Sequence, residues 1–134
     1  MTTLLITGSR DFCESVTTTG EPRPRDTYMA ERESLGFTLD YIAPSSVIVG
    51  DSSGADRWAV IWCERRSIPF TVYRADWTTH QKRAGPVRNQ TLVDQMPDQA
   101  VAFPGDDDDC VQRCEAARVP VFRVSVKIPA GDCV

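Results

Sequence analysis

Histidine is almost missing from this chain: His80 is the only one in 134 residues. Metal centres built on imidazole are therefore excluded, and a histidine-based relay would rest on one side chain. Lysine is nearly as scarce, with Lys82 and Lys127 set against thirteen arginines. No apolar run approaches the ~20 residues that span a bilayer, so no membrane partner is expected. No basic stretch precedes the first apolar run, Leu4-Leu5-Ile6. A secretory signal is thus not expected, and a cytoplasmic location is. A basic surplus is also lacking, since the formal charge is −4. That argues against non-specific nucleic-acid binding, which needs a basic face. A small anionic ligand stays admissible, because a local arginine cluster outweighs the global sign.

Five cysteines are present, Cys13, Cys63, Cys110, Cys114 and Cys133. Their odd number and irregular spacing fit no disulfide framework, so free thiols are expected. Cys110 and Cys114 lie four apart, but two further zinc ligands are wanting; small buried apolar residues are the expected reading. The length suits one domain, and 41% apolar with 25% charged residues is ordinary for a chain with one core.

Short apolar runs alternate with helical periodicity along the chain. Residues 3–7, 46–49, 69–73, 99–103 and 119–124 read as strands. Residues 27–42, 54–66, 86–95 and 107–118 read as helices, the first capped by Asp26 or Thr27 and ended at Pro44. Residues 13–26 and 74–85 read as loops. The strands are continuous apolar runs, as in strands covered on both faces. This predicts an α/β fold with one parallel five-stranded sheet, or six-stranded if the tail adds an edge, and helices on both faces. Residues 1–124 form the domain and 125–134 a tail or edge strand.

Four segments stand where strands hand over to helices or at a helix start. Gly8-Ser9-Arg10-Asp11 follows the first strand. A glycine there lets a ligand approach closely, the Ser9 hydroxyl can take a phosphate, and the Arg10 fork suits an anion. Gly50-Asp51-Ser52-Ser53-Gly54-Ala55-Asp56 follows the second. It reads as a turn offering amides to an anion at a helix N-terminus, with Asp56 in the first turn for a cap or a ribose hydroxyl. It is neither a Walker loop nor the G-x-G-x-x-G fingerprint. Trp77 and His80 sit in a polar loop before Pro86-Val87-Arg88-Asn89, where Pro86 suits a first helical turn. Trp77 can stack on a base or fold back on the core. Phe103-Pro104-Gly105 is followed by Asp106, Asp107, Asp108 and Asp109. These carboxylates form a solvated helix start or hold a divalent cation, because alone they repel phosphate.

Together, GSR-D, G-x3-GAD, ADW, AGP-x-RN and AFPG resemble the YspA-like branch of the SLOG superfamily. That superfamily includes the LOG cytokinin-activating phosphoribohydrolases, DprA-type Rossmann proteins and sensor domains for NAD-derived signals. The resemblance spans residues 3 to 124. It implies a Rossmann-like sheet with a nucleotide or ADP-ribose-type ligand at the strand C-termini. Gly8, Ser9 and Arg10 match the family's first loop, and Gly50, Gly54, Ala55 and Asp56 its second. Arg88 matches the arginine that acts on the N-glycosidic bond in LOG enzymes. The family's PGG-x-GT is replaced here by Pro104-Gly105 and four aspartates. The position of the LOG catalytic glutamate is Val111, which has no proton to exchange.

The expectation is therefore a sensor or sequestering protein for a nucleotide-derived small molecule, without a resident cofactor or metal. Gly8, Ser9, Arg10, Gly50, Ser53, Gly54, Ala55 and Gly105 would hold phosphate. Asp56, Trp77, Arg88 and Asn89 would meet ribose or base. The rival is a nucleotide N-glycosidase or phosphoribohydrolase using Arg88 with Asp108 or Asp109. A homodimer or higher homo-oligomer is expected from related folds.

Overall fold

The computed structural model describes residues 2–105 and 109–126. In chain order the elements are β1 (Thr3–Thr7), α1 (Arg25–Ile42), β2 (Ser46–Gly50), α2 (Ala55–Arg66), β3 (Phe70–Tyr73) and α3 (Trp77–His80). A 3-10 turn (Gln81–Arg83) leads into α4 (Ala84–Asp94), followed by β4 (Gln99–Ala102), α5 (Asp109–Ala116) and β5 (Val121–Arg123).

The strands form one sheet in the order β3-β2-β1-β4-β5, and every neighbouring pair is parallel. Side chains alternate across a strand, so each strand feeds two cores. Leu4, Ile6, Val47 and Val49 meet Leu35 and Leu39 of α1 and Ala55, Ala59 and Trp62 of α2 on one face. Leu5, Ile48 and Ala100 meet Leu92 and Val93 of α4 and Cys110 and Cys114 of α5 on the other. The chain is a single Rossmann-like α/β domain with helices on both faces. No described helix is long and apolar enough to cross a membrane.

Several boundaries differ from the expected ones. Helix α1 starts at Arg25, and neither Asp26 nor Thr27 caps it; Pro24 holds the N-cap position and its carbonyl accepts the Thr27 and Tyr28 amides. Proline's fixed φ suits the turn into the helix, and no side-chain cap hydrogen bond is made there. The 74–85 loop contains α3 and the 3-10 turn, started by the Asp76 carboxylate accepting the Thr79 N–H at 3.0 Å. Pro86 stands in the first turn of α4. Residues 127–134, the greater part of the expected tail, lie outside the described residues, as do Asp106, Asp107 and Asp108.

The long connection between β1 and α1 has a built interior. Val16 and Pro22 form an antiparallel bridge. The Arg23 guanidinium donates to the carbonyls of Asp11 (2.7 Å) and Glu14 (3.0 Å) and to both carboxylate oxygens of Glu31 (2.7 and 3.0 Å). Glu31, on the inner face of α1, is buried and also accepts the Cys13 N–H at 2.8 Å. The Cys13 carbonyl accepts from Arg32 at 2.9 Å, so both its backbone groups are held while its φ is +70°. A non-glycine residue keeps that conformation only when its surroundings over-determine it. Removing Glu31 would leave a largely buried guanidinium and the Cys13 amide without their acceptor. Glu31→Ala is expected to lower the urea unfolding free energy by about 3 kcal/mol. A loss near zero would show that the connection is not pinned by this pair.

Candidate functional site

Three loops meet at the C-terminal ends of β1, β2 and β4. The Ser9 carbonyl accepts the Ala55 N–H at 3.2 Å, and the Ser53 hydroxyl donates to the Arg10 carbonyl at 2.9 Å. Gly54 makes this approach feasible: its φ is +76°, and a Cβ there would run into the Ser9 carbonyl and the Arg10 backbone. On the other side Ser9 N–H donates to the Pro104 carbonyl at 3.1 Å, and Gly105 packs directly on Ser9. The strand order reverses between β1 and β4, where open α/β sheets commonly bind ligands. Here the two loops close on one another there, leaving a cavity of about 230 Å³ lined in part by Gly105 and Val111.

The N-terminus of α2 is filled from within. Glu14 accepts the Gly54 N–H at 2.8 Å through one carboxylate oxygen and pairs with Arg57 at 2.7 Å through the other. The Ser52 N–H points to Asp56 at 3.3 Å. The amides of Ser52, Gly54 and Ala55 therefore have partners inside the protein. A carboxylate stands where an anion would sit on the helix dipole.

A cleft of about 300 Å³ opens beside this joint, between the loops after β1 and β2 and the first turns of α4. Gly8, Ser9, Arg10 and Asp11 form one wall and Gly50, Ser52 and Asp56 another; Gly85, Arg88 and Asn89 form the third. Thr18, from the β1–α1 connection, and Leu92 complete it. Arg88 lies flat on Gly50: a Cβ at that glycine would strike the guanidinium. Arg88 pairs with Asp51 at 2.8 Å and donates through Nε to Asn89 Oδ1 at 3.0 Å. Asn89 is 7% exposed and donates through Nδ2 to Asp109 at 3.0 Å. Asp109 is held in turn by Arg113 at 2.8 Å. Partial burial works against its charge, but the hydrogen bonds from Arg113 and Asn89 prevail and hold its carboxyl below the usual range. Arg10 takes part in no side-chain hydrogen bond or ion pair among the described residues.

Of the residues singled out in the sequence, Gly8, Ser9, Arg10, Gly50, Asp56, Arg88 and Asn89 line this cleft. Ala55 is fully buried against Gly8, and Ser53 faces away, bonded to Arg10. Gly54 and Gly105 act as close-packing positions. Trp77 does not line the cleft: it opens α3 and is 52% exposed. His80 is exposed on the same short helix. Asp109 lies outside the lining as the anchor of Asn89, and Asp108 falls outside the described residues. Among the described residues no cluster of three metal-ligating side chains occurs. Cys13, Cys63, Cys110 and Cys114 are buried and free; burial pushes the Cys13 thiol to about 12 and the Cys63 thiol to about 11. Glu14 and Thr18 escaped the sequence reading because they stand in a stretch with loop composition and no motif.

The chain is 33% identical over 92 residues to the Gene 61 protein of Mycobacterium phage D29, a match covering 60% of this chain and 72% of that protein. This chain belongs to the family of that phage protein. No protein-family model and no solved structure matches it.

In this family member the cleft carries one buried ionisable group, Asp56, that no cation salt-bridges among the described residues. Asp56 is 8% exposed, and burial drives its carboxyl up to about 7, against the opposing pull of Arg88 and the Ser52 amide. Near neutrality it exists as donor and as acceptor, so it can give a proton to a ligand or take one from it. Asp56 keeps its proton up to about pH 7 in the folded chain, against an ordinary carboxyl value of 3.8. Between those values the folded state binds the extra proton, so stability falls as pH rises. The contribution is complete below about pH 4 and lost above about pH 7. Asp56→Asn removes it. The unfolding free energy of the variant relative to wild type should grow by on the order of 1 kcal/mol per pH unit through that window and then level off. A pH-independent difference would rule out a buried proton.

Proposed function

We propose that this chain binds a nucleotide-derived small molecule in the cleft between the β1 and β2 loops and α4, as a sensor or sequestering protein. The observation that carries the reading is the uncompensated Arg10 guanidinium on a cleft whose other cation, Arg88, is immobilised. Arg88 rests on Gly50 and is tied to Asp51 and Asn89. A forked donor without a carboxylate partner suits phosphate, and a pre-fixed one costs little ordering on binding. Asp56, Asn89 and Ser52 supply the hydroxyl-directed contacts that a ribose needs. A cleft of about 300 Å³ is at the small end for organic ligands and suits a mononucleotide-sized group. The resemblance to SLOG proteins points to the same class of ligand.

The position of the LOG-type catalytic glutamate is held by Val111, which is buried, and Asp109 is spent on Asn89 and Arg113. These two facts favour holding the ligand over cleaving it. The hydrolytic alternative gains one observation, the buried carboxyl of Asp56 in the cleft wall, which burial raises to about 7. There Asp56, rather than Asp108 or Asp109, would be the proton donor to a leaving base.

The two readings separate in one mass balance. The purified chain is incubated with AMP, NAD, ADP-ribose and cyclic ADP-ribose and filtered; the retained protein is then denatured. Intact nucleotide released from the protein fraction is the expected result. Free base or ribose 5-phosphate in the filtrate would establish hydrolysis instead. Arg10→Ala should weaken retention about tenfold, in line with the loss of one charge-assisted hydrogen bond. Unchanged retention would remove Arg10 from the site.

A further inference from the structure

The segment that joins β3 to α4 is held differently from the other connections. Every residue from Asp76 to Arg83 is exposed, so no side chain anchors it in either core. Its hydrogen bonds among the described residues are local. Asp76 accepts the Thr79 N–H at 3.0 Å through its carboxylate and the His80 N–H at 3.0 Å through its carbonyl. The Gln81 N–H meets the Trp77 carbonyl, and the Ala84 N–H meets the Gln81 carbonyl. Gln81 stands at φ +50° and ψ −122°, a conformation suited to glycine, and an exposed side chain leaves it nothing to be wedged against. A cavity of about 200 Å³ lies at the segment, lined by Asp76 and His80 and by Val87, Arg88 and Thr91 of α4. A stretch without buried apolar contacts, with local hydrogen bonds and a void beside it, opens at low cost, and lids are drawn from such stretches.

Position and charge connect this segment to the cleft. Arg88 lines both the cavity and the cleft. Gly85, in the cleft wall, is two residues from Arg83, so their Cα atoms are at most about 7.6 Å apart. Lys82 and Arg83 form no ion pair among the described residues. The neighbouring carboxylates have other partners: Asp76 caps α3 through Thr79, Asp51 holds Arg88, and Asp11 accepts the Thr18 N–H. Trp77, 52% exposed, is the large apolar side chain of the segment.

Resting on the nucleotide reading, we propose that Asp76–Arg83 is a lid that closes over the occupied cleft. Lys82 and Arg83 are drawn toward the ligand's phosphate, and Trp77 covers its base. In the free chain Lys82 and Arg83 repel one another, so nothing favours closure; a bound anion reverses the sign of that interaction. Closure rearranges the backbone at Gln81 and releases its strain. The ligand is thus enclosed by a segment that stands outside the empty cleft, and its release waits on the lid reopening.

The test is limited trypsin digestion of the full chain, mapped by mass spectrometry, without AMP and with AMP at a concentration that calorimetry shows to be saturating. Cleavage after Lys82 and Arg83 is expected to slow at least tenfold with AMP. Cleavage after Arg118, an exposed residue in the loop between α5 and β5, should keep its rate. Trp77→Ala, at an exposed position outside both cores, should weaken AMP binding about tenfold, the size of one lost base–aromatic stack. If AMP binds and cleavage after Lys82 and Arg83 slows no more than cleavage after Arg118, the lid is overturned and the nucleotide reading stands. Unchanged AMP affinity in Trp77→Ala would likewise overturn closure by this segment. If calorimetry detects no AMP binding at millimolar concentration, the nucleotide reading itself falls and takes this inference with it.

Discussion

The arrangement of the loops at the C-terminal end of the sheet depends on one backbone joint, the docking of the β1 loop against the N-terminus of α2. Ala55 N–H meets the Ser9 carbonyl, the Ser53 hydroxyl meets the Arg10 carbonyl, and Gly54 N–H meets Glu14. All three contacts need Gly54 in the left-handed region without a Cβ, and the Ser9 and Arg10 backbone occupies the space where one would be. The same joint fixes the direction in which Arg10 leaves the loop and the position at which Asp56 enters α2.

This joint also redirects the electrostatics of the fold. A bare helix N-terminus after a parallel strand attracts anions. In this chain the attraction is met by Glu14, an internal carboxylate from a different loop, and Arg57 steadies it. The α2 amides are therefore met inside the protein, and the guanidiniums of Arg10 and Arg88 stand at the cleft instead. Arg88 is fixed by Gly50 beneath it, Asp51 beside it and the Asn89–Asp109–Arg113 chain behind it. Its net charge is largely spent, so its contribution is shape and donor geometry. Arg10 supplies the free charge. Asp56, buried in the cleft wall, carries only part of a negative charge near neutrality, because burial raises its carboxyl to about 7.

The β1–α1 connection illustrates a polar core beside an apolar one. Arg23 ties two carbonyls of that connection to Glu31 on α1, and Glu31 in turn holds the Cys13 amide. The buried guanidinium and carboxylate satisfy one another and the backbone groups around them, and Thr18 is held at the cleft by its N–H donating to the Asp11 carboxylate at 2.9 Å. Composition alone marks residues 13–26 as loop, and it gives no hint that Arg23 and Glu31 are among the better-buried charges of the chain.

The alternation of strands and helices, the parallel sheet and its two covered faces were legible in the sequence. They follow from local periodicity: apolar runs such as Val47-Ile48-Val49 need cover on both sides, and helices such as α2 present one stripe. The glycines at the strand ends were legible as close-approach positions, but not what approaches them. Gly54 receives the protein's own backbone, and Gly50 receives Arg88. Those assignments rest on partners 37 residues apart for Arg88 and Asp51, 40 for Gly54 and Glu14, and 20 for Asn89 and Asp109. Whether a charge is free or neutralised, and whether a carboxyl keeps its proton, depends on distances and burial through space. The sequence by itself determined the layers and the parallel sheet, and it pointed to the end of the sheet at which the candidate cleft lies. Only the tertiary structure decided which arginine remains available, which aspartate lines the cleft and which residues such as Trp77 stay outside it.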